Sequence, residues 1–203
     1  MDARQKRGQE TKRKITETAI ALFHERGFNN VTVDEIVAKT NTSKGAFYNH
    51  FTSKHEVFAE QFKEIDQFYI DHIVPRLDAK QPVLDRLTLF LNLQMTYIQN
   101  DIGWDVTRTI YEQELSTERS SYFLNPDRPL YGILLELCQE GVNNGEFKPG
   151  YTAHEIVTVL IHAMRGVLYN WSLNRGRISL KDEQSVLFGV VLEGLKVSRN
   201  FTE

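Results

Sequence analysis

Side chains able to read a hydrogen-bonding surface crowd one short stretch of this sequence, NTSKGAFYNHF at residues 41–51. Lys44 is placed to donate to a guanine edge and the Ala46 methyl to touch a thymine methyl, with Thr42 and Asn49 on the same outward side. Ser43, Tyr48, His50 and, just beyond, Lys54 carry donors suited to phosphate oxygens. Phe47 and Phe51, four apart, fall opposite as inward anchors. A run this short is marginal as an isolated helix, which needs about 12–15 residues, and Gly45 costs it roughly 1 kcal/mol relative to Ala. Removing side-chain bulk there makes sense where the backbone must come close to another surface.

Other chemistries lack their constellations. Ser, His and Asp are present without a G-x-S-x-G elbow, and neither a glycine-rich phosphate loop nor an H-E-x-x-H helix occurs, so no catalytic residue, metal or cofactor is expected. His50 and His55 are five apart and His154 and His162 eight apart, not the i, i+4 spacing that puts two metal ligands on one helical face. Cys138, in LLELCQE, has no flanking cation to activate it and reads as a buried apolar filler rather than a redox sensor.

The elements that must position residues 41–51 are helical, since no segment sustains period-two alternation. The first helix is expected over Thr11 to Arg26, with Ile15, Ala19, Leu22 and Phe23 on one face, Gly27 ending it in the left-handed region and Phe28 folding back. Thr32 and Glu35 form a capping box for a second, short helix stopping near Thr40. Asn41 is the non-glycine residue best able to take positive φ, and Ser43 caps a third helix, Lys44 to Phe51. Ser53 with Glu56 starts a long fourth helix from Lys54 to about Pro75, and five more are expected at about 82–100, 103–116, 128–144, 152–174 and 181–200, with a loop from Thr117 to Asp127. Helix, Asn-containing turn and helix beside a basic flank make a helix-turn-helix whose second helix enters a DNA major groove.

Charge agrees with that reading. Residues 1–55 hold 10 Lys or Arg against 6 Asp or Glu, leaving 14 against 21 of the chain's 24 and 27 for the remainder. Six of the basic residues fall in the first 14 and suit a polyanion. One cysteine, no apolar leader and no apolar run long enough for a membrane helix point to a cytoplasmic protein.

TKRKITETAIALFHERGFNNVTVDEIVAKTNTSKGAFYNHFTSKHEVF, residues 11–58, resembles the DNA-binding region of the tetracycline-repressor (TetR) family of bacterial transcription regulators. The A..LF...G, T-V-x-x-I and S-K-G-x-F-Y-x-H-F patterns all fall at the family's spacing, and one departure is Asn41, where the family usually has Gly. The resemblance implies DNA-facing roles for Thr32, Ser43, Lys44, Gly45, Ala46, Tyr48, His50 and Lys54. Within the all-α protein of about nine helices that periodicity predicts, it implies an N-terminal helix-turn-helix DNA-binding domain and basic arm at residues 1–55 and a C-terminal effector-binding and dimerisation domain at 56–203. Repression, by a homodimer on a palindromic double-stranded operator released by a small molecule, is the activity it implies. The alternative is a helical protein-interaction module without sequence-specific DNA binding.

The last two helices carry more apolar surface than one face holds. Ile156, Leu160, Met164 and Val167 on one, with Val186, Val190, Val191 and Leu195 on the other, are the expected homodimer contacts of an intermolecular four-helix bundle, unless both helices are central in a monomer core. Aromatic residues are plentiful between 60 and 175. Phe62, Trp104, Thr107, Tyr111 and Tyr169, with the polar Asn92, Arg108 and His162, are candidate lining of an effector pocket, though a stripe at helical spacing also describes ordinary core.

Overall fold

The computed structural model describes residues 3–115 and 121–197, except for the side chains of residues 3, 58 and 59. Among the described residues there are nine α-helices: α1 Ala3–Arg26, α2 Val33–Thr40, α3 Lys44–Tyr48, α4 Lys54–Phe68, α5 Val83–Tyr97, α6 Trp104–Glu114, α7 Pro129–Asn143, α8 Ala153–Leu173 and α9 Leu180–Leu195. The all-α expectation holds. No helix is long and apolar enough among these residues to cross a membrane. Residues 117–120 of the expected loop, and the turns of the last helix expected beyond residue 197, lie outside the described residues.

Several boundaries differ from the sequence reading, each for a local reason. The first helix starts at Ala3, so the basic arm is itself helical. The third ends at Tyr48, although the amide of Phe51 still donates to the carbonyl of Phe47 at 2.9 Å and keeps that turn closed. The fourth leaves α geometry after Phe68, passing through a π turn, Tyr69–Ile73, and a 3-10 turn, Val74–Arg76. Pro75 sits in that last turn, where it lacks an amide hydrogen and disfavours helix in the residue before it. Glu56 caps the start of α4 through the amide and hydroxyl of Thr52, rather than through Ser53. Gly27 has φ 81° and ψ 144°, a region more restricted to glycine than the expected left-handed helix. Phe28 does fold back, its ring 4.8 Å from that of Phe23.

The chain divides into two compact units, residues 1–65 with 109–123, and residues 66–108 with 124–203, the divisions falling inside α4 and α6. In the first unit Ile15, Ala19, Leu22 and Phe23 of α1 are buried as expected, together with Ile36 and Val37 of α2, Phe47 of α3, and Phe28, Val31, Phe51 and Val57. In the second, α5 packs on α7 and α9, and α8 on α7 and α9. Two of its helix starts are capped from far along the chain. The amide of Val83 donates to the Glu146 carboxylate at 2.7 Å, where Pro82 offers no capping side chain, and the amide of Leu180 donates to Gln99 Oε1 at 2.9 Å.

Inside the second unit lies a buried ion pair. Arg128 Nε and Nη2 donate to the two carboxylate oxygens of Asp66 at 3.0 and 2.8 Å, with both side chains shielded from water. Removing one partner of such a pair strands a charge in the interior, which costs about 3–5 kcal/mol, whereas an apolar pair of similar volume is often neutral or better. Asp66→Ala is therefore expected to lower stability by that amount in urea unfolding, and Asp66→Leu combined with Arg128→Met to recover most of it. Equal losses in the single and double variants would contradict this.

Candidate nucleic-acid interface

The turn into α3 is built from backbone polar groups. Thr32 caps α2, its hydroxyl accepting from the Glu35 amide at 3.3 Å while its own amide donates to Glu35 Oε2 at 2.8 Å. These bonds, Thr32's first and the neighbouring Arg26 less so, hold the Glu35 carboxyl below its ordinary pKa. The resulting stabilisation is present above the unfolded carboxylate pKa and is lost as pH falls through the depressed folded value. At the other end Asn41 adopts φ 53° and ψ 40°, and the amide of Thr42 reaches back to the carbonyl of Val37 at 3.0 Å, closing the helix with a left-handed residue. Asn tolerates this region, so the departure from glycine leaves the turn intact.

Beyond the turn, Ser43 Oγ accepts from the amide of Ala46 at 3.0 Å and caps α3, which leaves the hydroxyl proton free to donate. Phe47 and Phe51 are buried, their rings 5.5 Å apart. Opposite them Lys44, Gly45, Tyr48 and Asn49 are exposed and Ala46 is half-buried. Tyr48 is 54% exposed, its ring edge-on to Phe47. Around Gly45 the molecule is open: a Cβ built there would meet only Ser43 Oγ, at 3.7 Å. No neighbour within the fold requires glycine at this position, so the bulk it removes faces outward.

Other predicted contacts have partners already. The Thr42 hydroxyl is half-buried and shares a 2.7 Å hydrogen bond with that of Thr40. Lys44 Nζ lies 2.7 Å from Asp34 Oδ1, an exposed pair of the kind worth under about 1 kcal/mol and easily exchanged for a phosphate or base. His50 is half-buried, its ring 6.3 Å from that of Phe51. Lys54 has a different environment from the one assigned to it by sequence. Its ammonium donates to the carbonyls of Phe28 and Val31 at 2.8 and 2.9 Å and stands 4.3 Å from the Phe28 ring centroid, and burial lowers its pKa. Two of its three protons brace the fold.

The predicted effector residues are divided between the two units. Phe62 is buried in the first, stacked on Tyr122 at 4.5 Å beside Phe123, which Tyr111 also meets at 5.2 Å. In the second, Thr107 is buried with its hydroxyl donating to Gly103 O at 2.7 Å, and Asn92 accepts from Gln184. Trp104 lies against Gly176, and the Arg108 guanidinium is 5.9 Å from its ring. His162 and Tyr169 are exposed on α8. Two interior groups escaped the sequence reading. Gln94 Nε2 donates to the Tyr69 hydroxyl at 3.0 Å, and Gln94 Oε1 is buried without a hydrogen-bond partner among the described residues. No periodicity marks such a pair, because its partners come from separate helices.

Five of the eight expected dimer contacts are instead buried within the chain. Ile156, Leu160, Met164, Val167 and Leu195 are packed into their own unit. The outward line of α8 is Val159, His162, Gly166, Tyr169 and Leu173, all exposed and spaced alternately three and four apart. On α9 Val186 and Val190 are 70% and 69% exposed as a partner face would require, Val191 is half-buried, and Leu187 joins the exposed set.

Comparison with known proteins agrees with this geometry. Residues 15–60 match the model of "Bacterial regulatory proteins, tetR family". The biofilm operon icaADBC HTH-type negative transcriptional regulator IcaR of Staphylococcus epidermidis is 31% identical over 80 residues, 39% of this chain and 43% of that protein, so this match spans less than half of that relative. The HTH-type transcriptional repressor KstR2 of Mycobacterium tuberculosis is 23% identical over 183 residues, 90% of this chain and 91% of that protein. Among solved structures, the SmeT–triclosan complex superimposes with a TM-score of 0.72 at 18% identity, covering 94% of this chain and 93% of that one, which shows a shared fold.

The bracing geometry of Lys54 generates a prediction. Lys54→Met is expected to destabilise the protein by about 1.5–3 kcal/mol, the worth of hydrogen bonds from a charged donor, with base preference in a DNA-binding assay unchanged. Unaltered denaturant stability together with abolished DNA affinity would assign Lys54 to phosphate instead.

Proposed function

The chain belongs to the tetR family of bacterial regulatory proteins, and we propose that it represses transcription as a homodimer that binds a palindromic operator and is released by a small-molecule effector. One observation carries the DNA-binding part: α3 is pinned by Phe47 and Phe51 while Lys44, Gly45 and Tyr48 face solvent with space around the glycine. Ser43 and Tyr48 then hold phosphates and Lys44 reads a base. Action on DNA implies a cytoplasmic location.

Dimerisation is supported by the α8 and α9 faces left uncovered in one chain. Gly166, Gly189 and Gly194 have no side-chain neighbours within 4 Å, so a partner helix could approach closely along them. Two copies would present two α3 helices to half-sites about 34–36 Å apart or a multiple of that. For the effector, the buried and unpartnered Gln94 Oε1 supports a donor-bearing ligand in the second unit, since buried polar groups are rarely left unsatisfied. A ligand there that favours the conformation unable to bind DNA shifts the equilibrium by its differential affinity, through α4, which contributes residues to both units. SmeT, solved with triclosan, has the same fold.

Selection of bound duplexes from a random pool by the purified protein tests this function directly. A palindromic consensus whose binding weakens steeply with salt, through counterion release, is the expected result. An absence of any consensus, with salt-insensitive protein association, would favour the interaction-module reading instead. Gly45→Ala is expected to raise stability by about 0.5–1 kcal/mol through helix propensity and to weaken binding to the selected duplex about tenfold, about 1.4 kcal/mol; affinity equal to wild type would remove the close-approach role of Gly45. Val190→Glu is expected to give monomers in sedimentation and to abolish operator binding while the far-ultraviolet spectrum stays helical. A dimer unchanged by that substitution would place the partner face elsewhere.

A further inference from the structure

None of the first eleven residues of α1 with described side chains is buried. Ile15 is the first fully buried residue of that helix, so residues 4–14 extend it by about 16 Å, at 1.5 Å per residue, with no buried apolar side chain. Following the buried line of Ala19 and Ile15 toward the start in helical steps leads to Lys12, Gly8 and then Arg4 and Gln5. The face that is oily in the body of the helix is thus polar or bare in its extension. Beneath it is an open cleft of about 520 Å³, lined by Gln5, Gly8, Gln9 and Lys12 on one side and His50 on the other. His50 follows closely on α3, and a Cβ on Gly8 would lie 4.0 Å from its ring, so the extension and the end of the recognition helix are neighbours.

The charges there are unequally committed. Lys12 is tied to Glu60 at 2.6 Å and Arg13 to Glu17 at 2.9 Å, whereas Arg4, Lys6, Arg7 and Lys14 have no ion-pair partner among the described residues. Glu10 is the one acidic side chain described in this stretch. Arg4, Arg7 and Lys14, at i, i+3 and i+10, line one side of the helix axis.

We propose that this extension is a second DNA-contacting element: Arg4 and Arg7 neutralise phosphates of the duplex flanking each half-site, and the cleft between α1 and His50 seats the sugar–phosphate strand. Duplex DNA fits better than an acidic protein surface because the cleft is continuous with the helix-turn-helix face, and because cations spread along a rigid rod suit regularly repeated charges. The inference rests on the operator-binding reading and extends its footprint.

Wild type and the Arg4→Ala/Arg7→Ala variant are to be titrated against two forms of the duplex selected from the random pool, one ending at the outer edges of the half-sites and one extended by about ten base pairs, one helical turn, on each side. Wild type should bind the extended form tighter than the short one, and the variant should bind the extended form no better than the short one. The slope of log affinity against log salt on the extended duplex should fall by about 0.9 for each phosphate that the variant no longer neutralises. Equal wild-type affinity for both forms, or a variant identical to wild type on the extended duplex, would overturn the proposal while leaving α3 as the base-reading helix. Failure to select any duplex would instead sink the operator-binding reading, and this extension with it.

Discussion

Burial of Phe47 and Phe51 is the constraint on which the rest of the first unit depends. A five-residue helix containing glycine does not persist in water by itself, because the cost of fixing its first turn is not recovered over so few residues. Two aromatic side chains in the core of α1 and α2 supply that stability from outside the helix. The outward residues of α3 are thereby released from any role in folding, which lets Gly45 and Tyr48 sit in positions that local stability alone would not favour.

The surrounding polar groups refine the same arrangement. The left-handed Asn41 and the caps at Thr32 and Ser43 set the angle at which α3 leaves α2. Lys54, projecting from α4, holds the carbonyls of Phe28 and Val31, so the loop after α1 is fastened to the helix that follows α3. A cation committed in this way has one proton left to donate. Surface exposure and hydrogen-bond occupancy, rather than residue type, separate Lys44 from Lys54.

In the second unit several charged and amide side chains lie within an apolar helical core. Asp66 and Arg128 satisfy each other, while Arg86 lies buried with its Nη2 2.5 Å from Glu140 Oε1 and its Nε without a hydrogen bond. Together with the open acceptor of Gln94, these groups make an interior whose polar demands are met incompletely by the chain itself. Cys138 belongs to the apolar part: burial raises its thiol pKa to about 12, which keeps it protonated and unreactive.

Short-range physics was legible in the sequence. The positive φ of Asn41, the capping box at Thr32, the anchors Phe47 and Phe51 and the nine helices among the described residues all follow from neighbours within a few residues, and local steric and hydrogen-bond preferences act over that range. Tertiary packing decided which side of an all-round apolar helix faces in. Hydrophobicity alone does not distinguish the Ile156, Leu160, Met164 line of α8 from the line through Val159 and Leu173, because only the position of α7 and α9 determines which becomes core. The same holds for the carbonyls held by Lys54, the cap that Glu146 lends to α5 and the Gln94–Tyr69 bond. Each joins residues distant in the chain, and such pairings leave no periodic trace because their geometry exists only once the helices have packed.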